Sequence, residues 1–413
     1  MMPASTAQRI ESAVKALGDG PLCEEGIAEH VRPLFSRVAS ERPRRIYLAN
    51  HSLGRPLDAV TSDVHEALAC WYAELGGAWA AWREEGEAYR RRLARLLGVL
   101  RVDSVIPKTS AGQGLRAVLN TWDKRITVVA TRGEFDSIDV ILREYAHRGR
   151  ITLRYVDARV DGTFAHADIE RAVEAGADLV VISPVMFQTG QRLLDLDSLV
   201  ATAHRHNAMV LLDVYHALGA LPLDIDQLDA DFAVGGSYKY LRGGPGACFL
   251  YVHPRHLDAG LRTLDIGWFA KDTVFDYARP DPPRYAPGGD AWLESTPAIL
   301  PLYQARAGQI LALAIGVERS RAYNLQHQRE LVAELREHGI QARGGGEDHG
   351  AFVVVRDSRV KEWVGVLASE NVVVDARGDW LRLCPDLLTT WDELVVAARC
   401  LGRAAQAVRR DRG

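Results

Sequence analysis

Residues 209–252, MVLLDVYHALGALPLDIDQLDADFAVGGSYKYLRGGPGACFLYV, decide how this chain is read. The run Met209-Val210-Leu211-Leu212 is continuously apolar, as suits a strand covered on both faces, and it ends in Asp213-Val214-Tyr215-His216. A second strand candidate, residues 232–235, runs out into Gly236-Ser237-Tyr238-Lys239-Tyr240. A third, Cys248–Val252, follows Gly243-Gly244-Pro245-Gly246. Successive parallel strands bring their carboxyl ends to one sheet edge, where α/β proteins bind ligands. Asp213 and Lys239 are therefore expected at one cleft. Singly, a turn-capping Asp and a surface Lys are the ordinary readings. Together, and bracketed by glycines that let backbone approach a ligand closely, they point to a site.

Working outward, residues 126–130, Ile151–Val156 and residues 179–183 are further strand candidates, separated by helical periodicity such as Leu196–Arg205. Strands alternating with helices predict an α/β fold with a mainly parallel sheet, covered on both faces. Upstream, residues 45–48 read as a short strand entering the turn 50–56. A helical stretch follows over 58–97, broken near Gly76-Gly77 and carrying Trp71, Trp79 and Trp82. Downstream, residues 275–290 hold Pro280, Pro282, Pro283 and Pro287 and must cross irregularly. A long helix is expected over 301–337. Short strands at 352–355, 372–375 and Trp380–Leu383 then alternate with helices, in the manner of a small α+β domain. The expected division is an N-terminal helical segment 1–45, a large domain 46–275 and a small domain 276–413.

The 413 residues are 47% hydrophobic and 25% charged, with a net charge of −4. That balance suits a globular enzyme and gives no pull towards nucleic acid or anionic membrane. The basic tail 403–412 reads as a solvated end. No window is apolar enough to span a bilayer, and the first twenty residues lack the apolar core of a signal peptide. The five cysteines are scattered without a C-x-x-C pair, and three lie in apolar runs, as in a reducing compartment. A cytoplasmic location is the expectation. No histidine pairs with a carboxylate at metal-ligand spacing, so no metal is expected.

An amine and a carboxylate at one rim are what a pyridoxal 5'-phosphate (PLP) site requires. Lys239 would hold the cofactor covalently, and Asp213 would keep its pyridine nitrogen protonated. Thr109-Ser110-Ala111-Gly112-Gln113 leads into a helix over 115–122, and hydroxyls and N–H groups at a helix start make a phosphate site. A plain N-cap is the bland alternative. Phe135, past the 126–130 strand, is placed to lie against the cofactor ring, with core packing as its alternative.

The residues 213–252 resemble the corresponding stretch of kynureninase, a fold-type-I PLP enzyme of the class V aminotransferase group. Its D-x-x-H, S-Y-K-Y-L and G-G-P-G elements stand here as Asp213/His216, Ser237 to Leu241 and Gly243 to Gly246. The family's N-S-L-G turn resembles His51-Ser52-Leu53-Gly54, and its R-G-N-F resembles Arg132-Gly133-Glu134-Phe135. Its Y-x-T-G resembles Phe187-Gln188-Thr189-Gly190, and its G-W-F resembles Gly267-Trp268-Phe269. Its final strands resemble Val374-Asp375-Ala376-Arg377 with Leu381-Arg382. The resemblance implies the aspartate-aminotransferase fold, whose large domain has a mainly parallel sheet of seven strands, and it implies that Lys239 carries PLP and moves the substrate Cα proton. It also implies that Asp213 pairs with the ring nitrogen and that Phe135 stacks on the ring. Ser110, Ala111, His216 and Tyr238 would hold ring or phosphate, with Tyr238 also serving proton transfer. Ser52 and Arg382 would bind the amino acid substrate, Arg382 gripping its α-carboxylate; the alternative for Arg382 is an ion pair. Trp268 and Thr296 would border the pocket from the neighbouring subunit of a homodimer. The implied reaction is hydrolytic Cβ–Cγ cleavage of kynurenine or 3-hydroxykynurenine to alanine and an aromatic acid.

Three departures bear on substrate. Residues 77–83 lack the histidine some members carry, the family's S/G-N/T-P-P appears as Ser295-Thr296-Pro297-Ala298, and its aspartate after the stacking phenylalanine is Ile138. Another class V reaction, transamination or β-elimination, stays open. So does a non-catalytic binding protein, which retention of both Asp213 and Lys239 opposes. Cysteine desulfuration would need a cysteine on a mobile loop, and residues 343–350 contain none.

Overall fold

The computed structural model describes residues 5–40 and 44–410. Its strands, in chain order, are β1 (Ile46–Tyr47), β2 (Val105–Lys108), β3 (Ile126–Thr131), β4 (Ile151–Val156), β5 (Leu179–Ile182), β6 (Met209–Asp213), β7 (Phe232–Gly236), β8 (Cys248–Val252), β9 (Val353–Arg356), β10 (Val372–Val373), β11 (Asp375–Arg377) and β12 (Trp380–Leu383). Seven form one sheet in the order β2-β8-β7-β6-β5-β3-β4. The pairs from β7 to β4 are parallel, whereas β8 runs antiparallel to β7 and β2 antiparallel to β8. Only residues 237–247 join β7 to β8, too few for the crossover a parallel return needs. β2 was not expected as a strand because Pro107 interrupts it. At the sheet's edge a proline is tolerated, since one side of the strand needs no partner.

The continuous apolar runs bury both faces with a period of two. Val180, Ile182 and Leu212 pack with Leu93, Leu97 and Phe249 on one face. Leu179, Val181 and Leu211 pack with Leu115, Val118 and Val234 on the other. Each fully buried side chain of this size contributes about 1.5–3 kcal/mol, which pins the register. Trp292 and Ala305 also lie in these two cores, so packing around the large sheet continues past residue 275.

The last part of the chain forms a three-stranded antiparallel sheet, β11-β12-β9, with its own core around Leu331, Val353, Leu381 and Leu401. β1 pairs parallel with β10, so the turn that follows β1 sits beside this smaller sheet. The expected helix 301–337 is two helices, Ile299–Ile315 and Val317–Glu337, because Gly316 adopts φ +88 between them. The expected break near Gly76 is present as a 3-10 turn between helices Ala59–Glu74 and Trp79–Leu97. The basic tail is not simply solvated. It continues helix Trp391–Arg410, with Ala404 and Ala405 buried, and its last two residues, 411 and 412, lie outside the described residues. No described helix is long and apolar enough to cross a membrane.

Candidate active site

Asp213 is the last residue of β6, in register with Val234 of β7, and Lys239 follows β7 by three residues. Both reach the same open cavity of ≈ 590 Å³ at the carboxyl edge of the sheet. Ser110, Ala111, Phe135, His216 and Tyr238 share its lining. The helix after β2 begins at Ala111, four residues earlier than expected, because Ser110 is its N-cap: the hydroxyl oxygen accepts the Gln113 N–H at 3.1 Å. The first turn of that helix therefore opens onto the cavity. The loop of Lys239 is clamped from the other side by the turn after β1. Gly54 N–H donates to the Tyr238 carbonyl at 2.8 Å, and a Cβ at Gly54 would stand 2.0 Å from the Lys239 carbonyl oxygen. Only glycine allows that approach.

Lys239 Nζ lies 2.6 Å from His216 Nε2, and three rings surround it, those of Phe135, Tyr215 and Tyr238, with centroids 5.4, 5.3 and 5.7 Å away. Burial and the nearby charges of Lys239 and Arg382 hold His216 neutral, its pKa well below the ordinary value. Its Nε2 faces the lysine and its Nδ1 faces Tyr240 Oη at 3.4 Å, the neutral ring donating to one and accepting from the other. Burial lowers the pKa of Lys239; the charge of Asp213 opposes this and that of Arg382 reinforces it. Burial raises the pKa of Asp213, against the Tyr215 N–H bond to its Oδ1 at 3.0 Å and the charge of Lys239. The acid and the amine thus sit within reach of each other's field, with ring-sized space beside them. Burial also takes Glu134 up to about 7, although it accepts the hydroxyls of Thr131 and Ser183, both at 2.6 Å.

Neither Arg382 nor Ser52 lines this cavity. Arg382 is buried, its Nε and Nη2 bonded to Asp375 at 2.7 and 2.6 Å and its Nη1 to the Phe187 carbonyl at 2.6 Å. Phe187 does line the cavity, and its ring meets Phe135 edge-on at 5.3 Å. Ser52 donates to Asp375, and His51 bonds the same carboxylate at 2.9 Å. Trp268 and Thr296 meet each other, indole N–H to hydroxyl at 3.3 Å, but line other cavities than the one around Lys239. Sequence reading had not singled out Asp375 or Tyr215 for the site. The signal for Asp375 was the hairpin Asp375–Arg382, whose antiparallel register sets those two residues opposite each other. His204 and His256 both bond Asp231, at 2.9 and 2.6 Å. Among the described residues no group of three metal-ligating side chains is placed to hold an ion.

The donor set fits PLP. A buried carboxylate suits a pyridinium nitrogen, an amine of lowered proton affinity suits an aldehyde, an aromatic ring suits the ring face, and a helix start suits a phosphate. Fold and site together define a PLP-dependent enzyme of fold type I. The chain belongs to the class V aminotransferase family, whose profile, Aminotransferase class-V, matches residues 65–379. It is 27% identical to an "uncharacterized aminotransferase" of Bacillus subtilis, over 90% of this chain and 96% of that one. It is 30% identical to the kynureninase of Geobacillus thermodenitrificans, over 85% and 86% of the two chains. Among solved structures, a variant of C-DES with glycine covalently linked to its PLP cofactor superposes with a TM-score of 0.80 at 19% identity, covering 90% of this chain and 98% of that one. A cysteine desulfurase of Thermococcus onnurineus reaches 0.77 at 16% identity, over 88% and 95%.

Proposed function

We propose that this enzyme is a kynureninase-type hydrolase acting as a cytoplasmic homodimer. It adds water across the Cβ–Cγ bond of kynurenine or 3-hydroxykynurenine, giving alanine and anthranilate or 3-hydroxyanthranilate. The observation that carries the reading is the 30% identity to a kynureninase over most of both chains. Bound PLP supplies the sink for the electron pair left at the substrate Cα. In this reading the Asp213 carboxylate keeps the pyridine nitrogen protonated. Lys239 holds the cofactor, then takes the Cα proton; its lowered proton affinity lets it serve as a base near neutral pH. Neutral His216 orients the lysine amine. Phe135 covers the ring, Ser110 and Ala111 meet the phosphate, and Tyr238 holds the ring and relays a proton. Arg382, with Ser52 beside it, receives the α-carboxylate. Trp268 and Thr296 border the pocket from the partner subunit.

A second reading, transamination, is favoured by the similarity to the B. subtilis aminotransferase over 96% of its length. Desulfuration is disfavoured. Cys248 lines the cavity, but burial pushes its thiol up to about 11, so Cys248 is not a thiolate nucleophile at neutral pH. Incubation with kynurenine and 3-hydroxykynurenine separates the two main readings. The hydrolase releases alanine and a fluorescent aromatic acid in equal amounts without a keto acid. Amino transfer that consumes a keto acid and leaves the aryl ketone intact would refute the proposal.

A further inference from the structure

The site around Arg382 contains an acid that neither the family resemblance nor the comparisons assign. Resting on the reading that Arg382 receives the substrate carboxylate, we propose that Asp375 is its positioning residue, fixing the guanidinium so that only Nη1 and Nη2 face an incoming carboxylate. An arginine carries five N–H donors in one plane. Here Nε–H and one N–H of Nη2 are taken by the two oxygens of Asp375, and one N–H of Nη1 is taken by the Phe187 carbonyl. Nη1 keeps one uncommitted N–H, and the second N–H of Nη2 donates to the Ser52 hydroxyl at 3.4 Å, the long bond that an incoming carboxylate would replace.

Asp375 is well built for this duty. It faces Arg382 across the β11–β12 register, so the pair is rigid in the small sheet. Two further donors, His51 Nε2 and the Ser52 hydroxyl, hold the same carboxylate from the turn after β1. With His51 neutral and buried, its Nε2–H is committed to Asp375. A carboxylate held by three partners from two parts of the chain cannot swing away, and neither can the guanidinium it grips in bidentate fashion. The same turn clamps the Lys239 loop through Gly54. Asp375 thereby relates the carboxylate end of the substrate to the lysine end.

The test uses cofactor-loaded full-length protein, with L-alanine as the carboxylate-bearing probe and ethylamine as the probe that lacks one. Binding is read from the visible absorption change. Arg382→Ala and Asp375→Ala are each expected to raise the dissociation constant for L-alanine about tenfold or more, with that for ethylamine within about twofold of wild type. The double variant is expected to bind L-alanine no more weakly than Arg382→Ala alone, since the acid acts through the arginine. Should Asp375→Ala fail to fold, Asp375→Asn, which keeps one acceptor oxygen, decides the matter with a smaller loss in the same direction. Unchanged or tighter L-alanine binding in the folded Asp375 variants overturns the inference, as does an equal loss for ethylamine. Loss of affinity in those variants with none in Arg382→Ala would overturn it too. If Arg382→Ala alone leaves L-alanine binding unaltered, the carboxylate assignment of Arg382 falls with it, whatever the kynurenine assay shows.

Discussion

Two acid–base pairs sit within one neighbourhood and are built in opposite ways. Asp375 and Arg382 touch, bidentate, inside a rigid hairpin. Against burial, which raises it, the bonds from His51 and Arg382 hold the Asp375 carboxyl well below the usual carboxylate range. Asp213 and Lys239 sense each other's charge but open onto a common cavity. Burial moves the acid up and the amine down, so both protons become easy to move. The lesson is that distance decides the use of a charge pair. Closed on itself, a pair is a fixed anchor; held open around a ligand, it is acid–base machinery.

Breaking the open pair should have the larger consequence. Asp213→Ala is expected to retain PLP through Lys239 and the helix start, yet lose about 10²–10⁴-fold in kcat, because nothing else keeps the ring nitrogen protonated. Turnover within threefold of wild type, with cofactor bound, would mean the two pairs do not differ in kind.

A pH experiment sharpens the closed pair. Burial takes His51 from the ordinary 6.5 down to about 4, despite its bond to Asp375. Between those values the unfolded chain binds a proton the folded chain refuses, so stability falls as pH drops through this window, by up to about 3 kcal/mol. Asp375, with its depressed pKa, adds a further loss only below the ordinary carboxylate range. His51→Asn should flatten the fall in Tm between pH 7 and 4.5. An identical fall in both proteins would show that His51 takes up its proton as readily in the folded chain as in the unfolded one. The smallest effect is expected at the helix start. Ser110→Ala removes the N-cap bond to Gln113, costing about 1 kcal/mol and one or two degrees of Tm, with PLP affinity reduced alongside. An unchanged Tm would remove the cap from the account.

Much of the open pair was legible in the chain. Continuous apolar runs marked β5 and β6, and the parallel arrangement that brings Asp213 and Lys239 to one edge follows from strand–helix alternation. The closed pair was half legible. Arg382 was singled out by resemblance, but its hold on Asp375 depends on hairpin register, which residue type alone does not reveal. β2 was hidden by Pro107, whose tolerance depends on edge position, a property of the whole sheet. The helix break at Gly316 was hidden by long periodicity on both sides. Trp268 and Thr296, set at the pocket by the resemblance, adjoin in the fold but line other cavities than that of Lys239.

Everything assigned to the open pair hangs on which nitrogen carries the cofactor. Purified protein, saturated with PLP, reduced with borohydride and digested, is predicted to bear the phosphopyridoxyl mass on Lys239 alone, and Lys239→Ala is predicted to bear none while keeping its fold. Protein that stays colourless with added PLP, or a label found on another lysine, would contradict the account.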